Sequence, residues 1–215
     1  MEILKRILNI FTLRKSGTPQ FVDLGLPSGL KWAKCNVGAT SATDDGDYFM
    51  WGSTTPNTAD ECTWAKAPFN DGNSYYNADT FKLMKDTACP NGILAKEYDA
   101  ASQIMGGDWR MPTKDEIQEL LDNTDNEWVT NYNGTGVKGR KFTSKSNTSK
   151  YIFIPAAGNC YRGLVYSVGR DGDVWSSSLN TTYPYNAWGL HFSADKCNID
   201  YYFRYYSLPV RGVMK

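Results

Sequence analysis

The chain is predicted to form one α+β domain, with its helices in the first half and most of its sheet in the second. A T-x-x-E sequence, Thr113 to Glu116, precedes an apolar stripe of helical spacing. From Lys138 onward the periodicity changes to short strands punctuated by Asn, Gly, Asp and Pro. The 215 residues suffice for one good hydrophobic core. Seven Trp, nine Phe and fourteen Tyr offer too much apolar surface to leave in water, so a folded chain is expected rather than a disordered one.

The opening "MEILKRILNIFTLRK" sets Leu4, Ile7, Leu8 and Phe11 on one helical face, with Lys5, Arg6, Arg14 and Lys15 around it. Packing on the domain or on a partner subunit is the commoner use of such a stripe, and a peripheral membrane contact is the alternative. Asn9 interrupts the apolar run and no small-residue cleavage site follows, which argues against a signal peptide. Residues 1–19 are therefore read as an amphipathic helix or linker and 20–215 as the domain.

"FVDLG" and "LKWAKCNVG" read as short strands around the turn "LPSG". From Ala39 to about Thr80, turn formers surround Trp51, Trp64, Phe69, Tyr75 and Tyr76, a composition that suits a packed surface loop. "DDGD" at 44–47 lacks the remaining ligands of an EF-hand and is read as a turn. In "AKEYDAASQIMGG", Tyr98, Ala101, Ile104 and Met105 share a helix face that the glycine pair ends. In "RMPTKDEIQELL", the capping box leads to a buried stripe of Ile117, Leu120 and Leu121, and Trp109 is expected to fill the junction between the two helices. The strands that follow are "GRKFTS", "KYIFIPA", "VYSVG", "DVWSSS", "NAWGLHFSA" and "SLPVRGV". Trp175 and Phe192 among them are expected in the core.

The formal charge is zero, and no Lys/Arg stripe lies outside the first fifteen residues, so nucleic acid is not an expected partner. Cys35, Cys62, Cys89, Cys160 and Cys197 lack CxxC spacing, and no metal or other cofactor is expected. Their odd number suits free thiols, or two disulfides with one thiol left over in an oxidising compartment.

"VDLGLPSGLKWAKCNVGAT", "GDYFMWG", "GGDWRMPTKDEIQELL", "IFIPAAG", "VWSSS" and "LPVRGV" occur in this order over residues 21 to 213. The series resembles the Fibrobacter succinogenes major paralogous domain family. That resemblance implies a C-type-lectin-like fold, with two helices beside a small twisted antiparallel sheet. It also implies a surface-exposed, adhesin-like or phage-associated ligand-binding protein of Bacteroidetes or their phages. Some members resemble the hypervariable proteins of diversity-generating retroelements. The ending "YSLPVRGV" departs from the family's usual one, in which proline follows the arginine.

In that light residues 158–206 are the expected recognition surface. Its first patch holds Tyr161, Arg162, Leu164, Tyr166, Arg170, Asp171 and Asp173, and the second holds Asn180, Thr182, Tyr183, Tyr185, Asn186, Trp188 and His191. The third runs through Asn198, Ile199, Asp200, Tyr201, Tyr202, Phe203, Arg204 and Tyr205. Tyr supplies a broad rigid face and a hydroxyl at low entropy cost. Alternation along a strand would present either Tyr202 with Arg204 or Tyr201, Phe203 and Tyr205, while bulging loops could expose both sets.

The expected partner is a protein or a glycan on a cell surface, engaged by a monomer or an oligomer. A fixed adhesin, pilus or phage-tail component is the alternative. An enzyme resembling the formylglycine-generating family is disfavoured, since its chemistry needs reactive cysteines with copper and nothing in the spacing of Cys160 and Cys197 brings them together. His191 is the single histidine and has no identifiable nucleophile beside it.

Overall fold

The computed structural model describes residues 20–69 and 87–215. The expected helix over residues 1–19, and the loop residues Tyr75 and Tyr76, lie outside them. The described chain is an α+β fold with two α-helices and several antiparallel sheets.

Strands β1 (Phe21–Asp23) and β2 (Lys31–Ala33) pair with each other, and β13 (Val213–Met214) adds to β2, so the two ends of the domain share one sheet. A second sheet has the order β3-β12-β7-β8, from β3 (Tyr48–Met50), β12 (Ser207–Pro209), β7 (Asn159–Tyr161) and β8 (Leu164–Tyr166). β4 (Thr124–Val129), β5 (Gly139–Ser144) and β6 (Tyr151–Pro155) form a meander. β9 (Gly172–Leu179), β10 (Asn186–Phe192) and β11 (Cys197–Phe203) form another.

Helix α2 (Lys114–Asn123) begins where the sequence places it. The Thr113 hydroxyl accepts from the Glu116 amide at 3.2 Å, and the Glu116 carboxylate accepts from the Thr113 amide at 2.8 Å. Glu116 also takes a bidentate pair from Arg110, which ties the box to the preceding turn. Thr113→Ala is expected to cost about 1 kcal/mol in unfolding free energy, measured by urea titration. An unchanged midpoint would show that the Arg110 pair holds the helix start by itself.

The preceding helix is shorter than expected. Lys96–Tyr98 is a 3-10 turn, Asp99 caps the Ser102 amide, and α1 covers only Ala100–Met105. Ala101 is buried, and Tyr98 and Met105 pack against the core, but Ile104 is exposed, because six residues are too few to turn a whole stripe inward. The segment after Ala39 is not wholly irregular either, since β3 pairs with β12 there. "SLPVRGV" divides into β12 and β13, with Val210 and Val213 both buried.

Two core clusters meet at β9, which is buried along its whole length. Val174 joins the cluster of Trp32, Ile117, Phe142, Ile154 and Phe192. Trp175 and Leu179 join that of Phe49, Trp51, Met111 and Leu208. Trp109 is buried, with the Ser102 hydroxyl donating to its carbonyl. The buried serines after Trp175 are satisfied by distant partners: Ser176 Oγ donates to the Trp188 carbonyl, Ser177 Oγ to that of Pro112, and Ser178 Oγ accepts the Lys114 amide. Trp51 and Trp175 each donate an indole N–H to a carbonyl, of Ser176 and Phe49 respectively. "WSSS" is thus a buried strand whose polar side chains stitch helix, loop and sheet together.

Candidate recognition surface

The opposite faces of β11 meet different surroundings. Cys197 and Ile199 pack on the first core cluster and Tyr202 on the second. Strand alternation therefore puts Tyr201 and Phe203 on the Cys197 side, at the end where that face emerges from the core. The strand then ends, and a turn closed by the Tyr206 amide on the Phe203 carbonyl brings Tyr205 and Tyr206 round beside Phe203. Tyr201, Phe203 and Tyr205 are thus the outward set, while Tyr206 packs partly against the second core cluster and touches them from its edge.

Arg204, the inward residue of that turn, is only 2% exposed. Its guanidinium donates to the carbonyls of Pro184 at 2.7 Å and Pro68 at 3.3 Å, and it lies over the Trp64 ring at 5.2 Å. Burial brings its pKa down to about 10, so it stays charged at neutral pH. Arg204 is a clamp beneath the surface and not an exposed contact.

Asn180 and Asn186 are likewise buried. Asn180 Oδ1 accepts from the amides of Thr182 and Tyr183, and the Asn186 amide donates to the Tyr183 carbonyl. Both residues build the β9–β10 loop that carries Tyr183 and Tyr185 outward. Asp173 is buried as well, because three partners converge on it. His191 Nδ1 and the Tyr202 hydroxyl meet its Oδ1 at 2.8 and 2.6 Å, and Asn159 donates to Oδ2 at 2.8 Å.

The exposed and half-buried rings form a continuous belt. Tyr166 leads to Tyr161 at 6.1 Å between centroids, and Tyr161 to Tyr206 at 4.6 Å and Tyr205 at 6.0 Å. Phe203 stacks on Tyr205 at 5.5 Å and meets Tyr185 at 5.9 Å. Tyr185 leads to Tyr183, Tyr183 to Tyr201, and Tyr201 to the edge of Trp188 at 5.5 Å. These spacings are those of favourable aromatic pairs. Arg162 lies over Tyr161 at 4.9 Å near one end, and Lys114 lies over Trp188 at 4.0 Å at the other. Tyr183 and Tyr201 are the most open rings of the stretch after Tyr166, at 47% and 45% exposure.

Beside Tyr161 the β7–β8 hairpin projects an apolar tip. Leu164, Val165, Tyr166 and Val168 are all exposed, Leu164 at 58%, and β8 is an edge strand. Gly158, at φ +63°, allows the hairpin to fold back, since a Cβ there would sit 1.8 Å from the Tyr166 carbonyl oxygen. Arg162 and Arg170 are exposed, and Arg170 pairs with half-buried Asp171 and donates to Ser167. Thr182 and Asn198 are exposed, while Ile199, Asp200 and His191 are half-buried.

The belt includes residues that sequence reasoning passed over. Tyr206 adjoins the recognised cluster, and Val165 and Val168 sit within the first patch. Lys114 and Trp64 reach the belt only through long-range packing, and no local signal marks them. Trp64 meets Tyr205 edge-on at 5.9 Å.

The hydrogen bond to the Asp173 carboxylate favours the charged form of the His191 imidazole, against the opposing effect of burial, and the charges of Asp173, Asp171 and Asp200 add to it. The pKa is therefore raised above 6.5. The folded state binds this proton more tightly than the unfolded chain. Its stabilisation is complete below the unfolded value and lost as pH rises through the folded one. Urea unfolding between about pH 5.5 and 8.5 is expected to show this decline, and His191→Gln is expected to flatten it. An identical pH slope in the variant would exclude His191 as its source.

The five cysteines are free thiols. Cys62 donates to Ser207 Oγ at 3.2 Å, and burial, followed by the neighbouring Cys62 thiol, pushes Cys160 up to about 12. Cys197 instead packs on the first core cluster. Among the described residues no three His, Cys, Asp or Glu side chains are grouped to hold a metal ion, and no helix is long and apolar enough to cross a membrane. Asp44 accepts from the Thr40 and Ser41 amides, so "DDGD" is part of a local turn. Set against protein-family models, curated proteins and solved structures, the chain matches none of them.

Proposed function

We propose that the chain is a non-enzymatic recognition protein of C-type-lectin-like fold, a variable protein of the diversity-generating retroelement kind that binds a cell-surface protein. The observation that carries this reading is the unbroken aromatic belt from Tyr166 to Trp188, with the apolar β7–β8 tip at one end. Contiguous aromatic surface with rings this open at Tyr166, Tyr183 and Tyr201 marks an interaction surface, and rigid Tyr and Trp side chains are favoured anchors. A broad belt with an apolar tip suits a protein better than a small metabolite.

The diversification half of the proposal is tested by deep sequencing of the coding region for residues 160–205 in a population grown from one cell. Adenine-directed substitutions are expected at Tyr183, Tyr201 and Phe203, and not at Trp175, whose ring is buried and hydrogen-bonded. A uniform sequence would reduce the reading to a fixed adhesin. The binding half is tested by screening the chain against an array of cell-surface ectodomains and a glycan array. Saturable binding to glycans alone, abolished by Tyr183→Ser with Tyr201→Ser, would reject the protein partner.

An assembly subunit, as in a pilus or phage tail, is the second reading. It is favoured by edge strand β8, whose Leu164, Val165 and Tyr166 are apolar and exposed, an arrangement prone to pairing with another chain. Concentration-dependent oligomers in light scattering, abolished by Val165→Lys, would support it.

A further inference from the structure

A separate concavity lies on the β4–β5–β6 meander and shares no residue with the aromatic belt. Phe142, Ile152 and Ile154 on one face of this sheet belong to the first core cluster. The opposite face carries the row Glu127–Lys141–Phe153, which are partners in register. The turn after β4 folds back over that face, and its Tyr132 lies flat on Phe153, with centroids 3.9 Å apart and planes within 9°. Gly139 leaves room for this stack, since a Cβ there would meet the Phe153 ring at 2.6 Å.

Beside the stack opens a cleft of about 470 Å³, lined by Glu127, Lys141, Tyr151, Tyr132, Asn131 and Asn133 among others. Its volume falls in the range of small-ligand pockets, about 300–1,000 Å³. Its charge is internally balanced. Lys141 Nζ pairs with Glu127 Oε1 at 3.2 Å and also lies 4.9 Å over the Tyr151 ring. An anionic ligand would have to compete with Glu127 for the ammonium, and a cationic ligand with Lys141 for the carboxylate. Burial and the hydrogen bond with Tyr151 push the Tyr132 phenol up to about 12, so it remains a neutral hydroxyl. Asn131 Oδ1 accepts from the Gly136 amide at 2.6 Å, which holds the turn in shape.

We propose that this cleft binds a neutral saccharide. Tyr132 and Tyr151 supply aromatic surface for the apolar face of a sugar ring. The ion pair and the asparagine amides supply paired donors and acceptors for its hydroxyls, which carry both functions themselves. No net charge in the site favours a phosphate, carboxylate or ammonium. The proposal is independent of the recognition belt and of what binds there.

The test is an amide-resolved NMR titration of the full chain with glucose, galactose, mannose, N-acetylglucosamine and their β-linked disaccharides, with inorganic phosphate as the charged probe. At least one sugar is expected to give saturable shifts at residues 131–133, Lys141 and Tyr151, with a dissociation constant of about 1 mM. Glu127→Gln preserves shape, removes the charge balance and is expected to weaken that sugar about tenfold, while Tyr132→Ala abolishes the shifts. Because Tyr132 also packs on Phe153, the Glu127 variant serves as the folding-neutral arm. Four outcomes would overturn the assignment: no saturable shift through about 50 mM, shifts confined to Tyr183, Tyr201 and Phe203, saturable phosphate binding at the same amides, or sugar affinity unchanged in both variants.

Discussion

Arg211→Met is expected to lower the unfolding free energy by about 4 kcal/mol, the largest single-residue effect on stability anticipated here. Arg211 is 0% exposed, and its guanidinium donates to Asn36 Oδ1 at 2.8 Å and to the carbonyls of Ala33 and Phe153, each at 3.0 Å. One side chain thereby joins the β1–β2–β13 sheet, the loop after β2 and the β4–β5–β6 meander. Methionine fills much of the volume but donates nothing, so three acceptors are left in the interior without this donor. Burial brings the Arg211 pKa down to about 10, which keeps the group charged at neutral pH and its hydrogen bonds charge-assisted. For a domain of this size the loss corresponds to a Tm lowered by roughly 10 °C. Arg211→Lys should recover little, because a compact ammonium cannot reproduce the planar fork. Calorimetry showing a loss under about 1 kcal/mol for Arg211→Met would mean that water or a relaxed backbone satisfies the three acceptors.

At the belt the expectation is reversed, with a large effect on binding and a small one on stability. Tyr183→Ser combined with Tyr201→Ser should weaken partner binding at least about 100-fold, the scale of losing two aromatic hot spots. The same substitutions should shift Tm by no more than about 2 °C, since both rings are among the most exposed of the stretch and neither belongs to a core cluster. Arg204→Met is the informative contrast. It removes the donor to Pro184 and Pro68 from below the belt and should lower Tm and binding together. Interferometry against the protein recovered in the ectodomain screen measures the first effect, and a thermal melt the second. If the double Tyr variant binds as tightly as the parent chain, the belt is not the contact surface.

Much of the architecture is legible in the sequence. The capping box at Thr113 and Glu116 marked the start of α2, because its two hydrogen bonds join residues three apart. "GRKFTS" coincides with β5, where short-range alternation and flanking turn residues carry the signal. Burial of Trp109, Trp175 and Phe192 followed from their bulk beside other apolar positions. The location of the aromatic surface, from Tyr161 to Tyr205, was also readable, because so many rings in one stretch exceed what a strand can bury on one face.

The direction of individual side chains was not. Arg204, Asp173, Asn180 and Asn186 look like exposed contacts in a polar, aromatic stretch, yet each is buried. Arg204 and Asp173 are held by partners from other segments, Pro68 for the one and Asn159 and His191 for the other, whereas Asn180 and Asn186 bond within their own β9–β10 loop. Lys114 and Trp64 likewise reach the belt from other segments. The sequence by itself determined the α+β class, the start of α2, most of the later strands and the stretch that carries the aromatic surface, since these follow from periodicity and from hydrogen bonds a few residues long; it passed over β3, β4 and β7, which are held by pairing with other segments. Only the tertiary structure decided which rings face outward and which polar groups hold them there, because that depends on where strand β11 turns and on an acceptor, the Pro68 carbonyl, more than a hundred residues away in the chain.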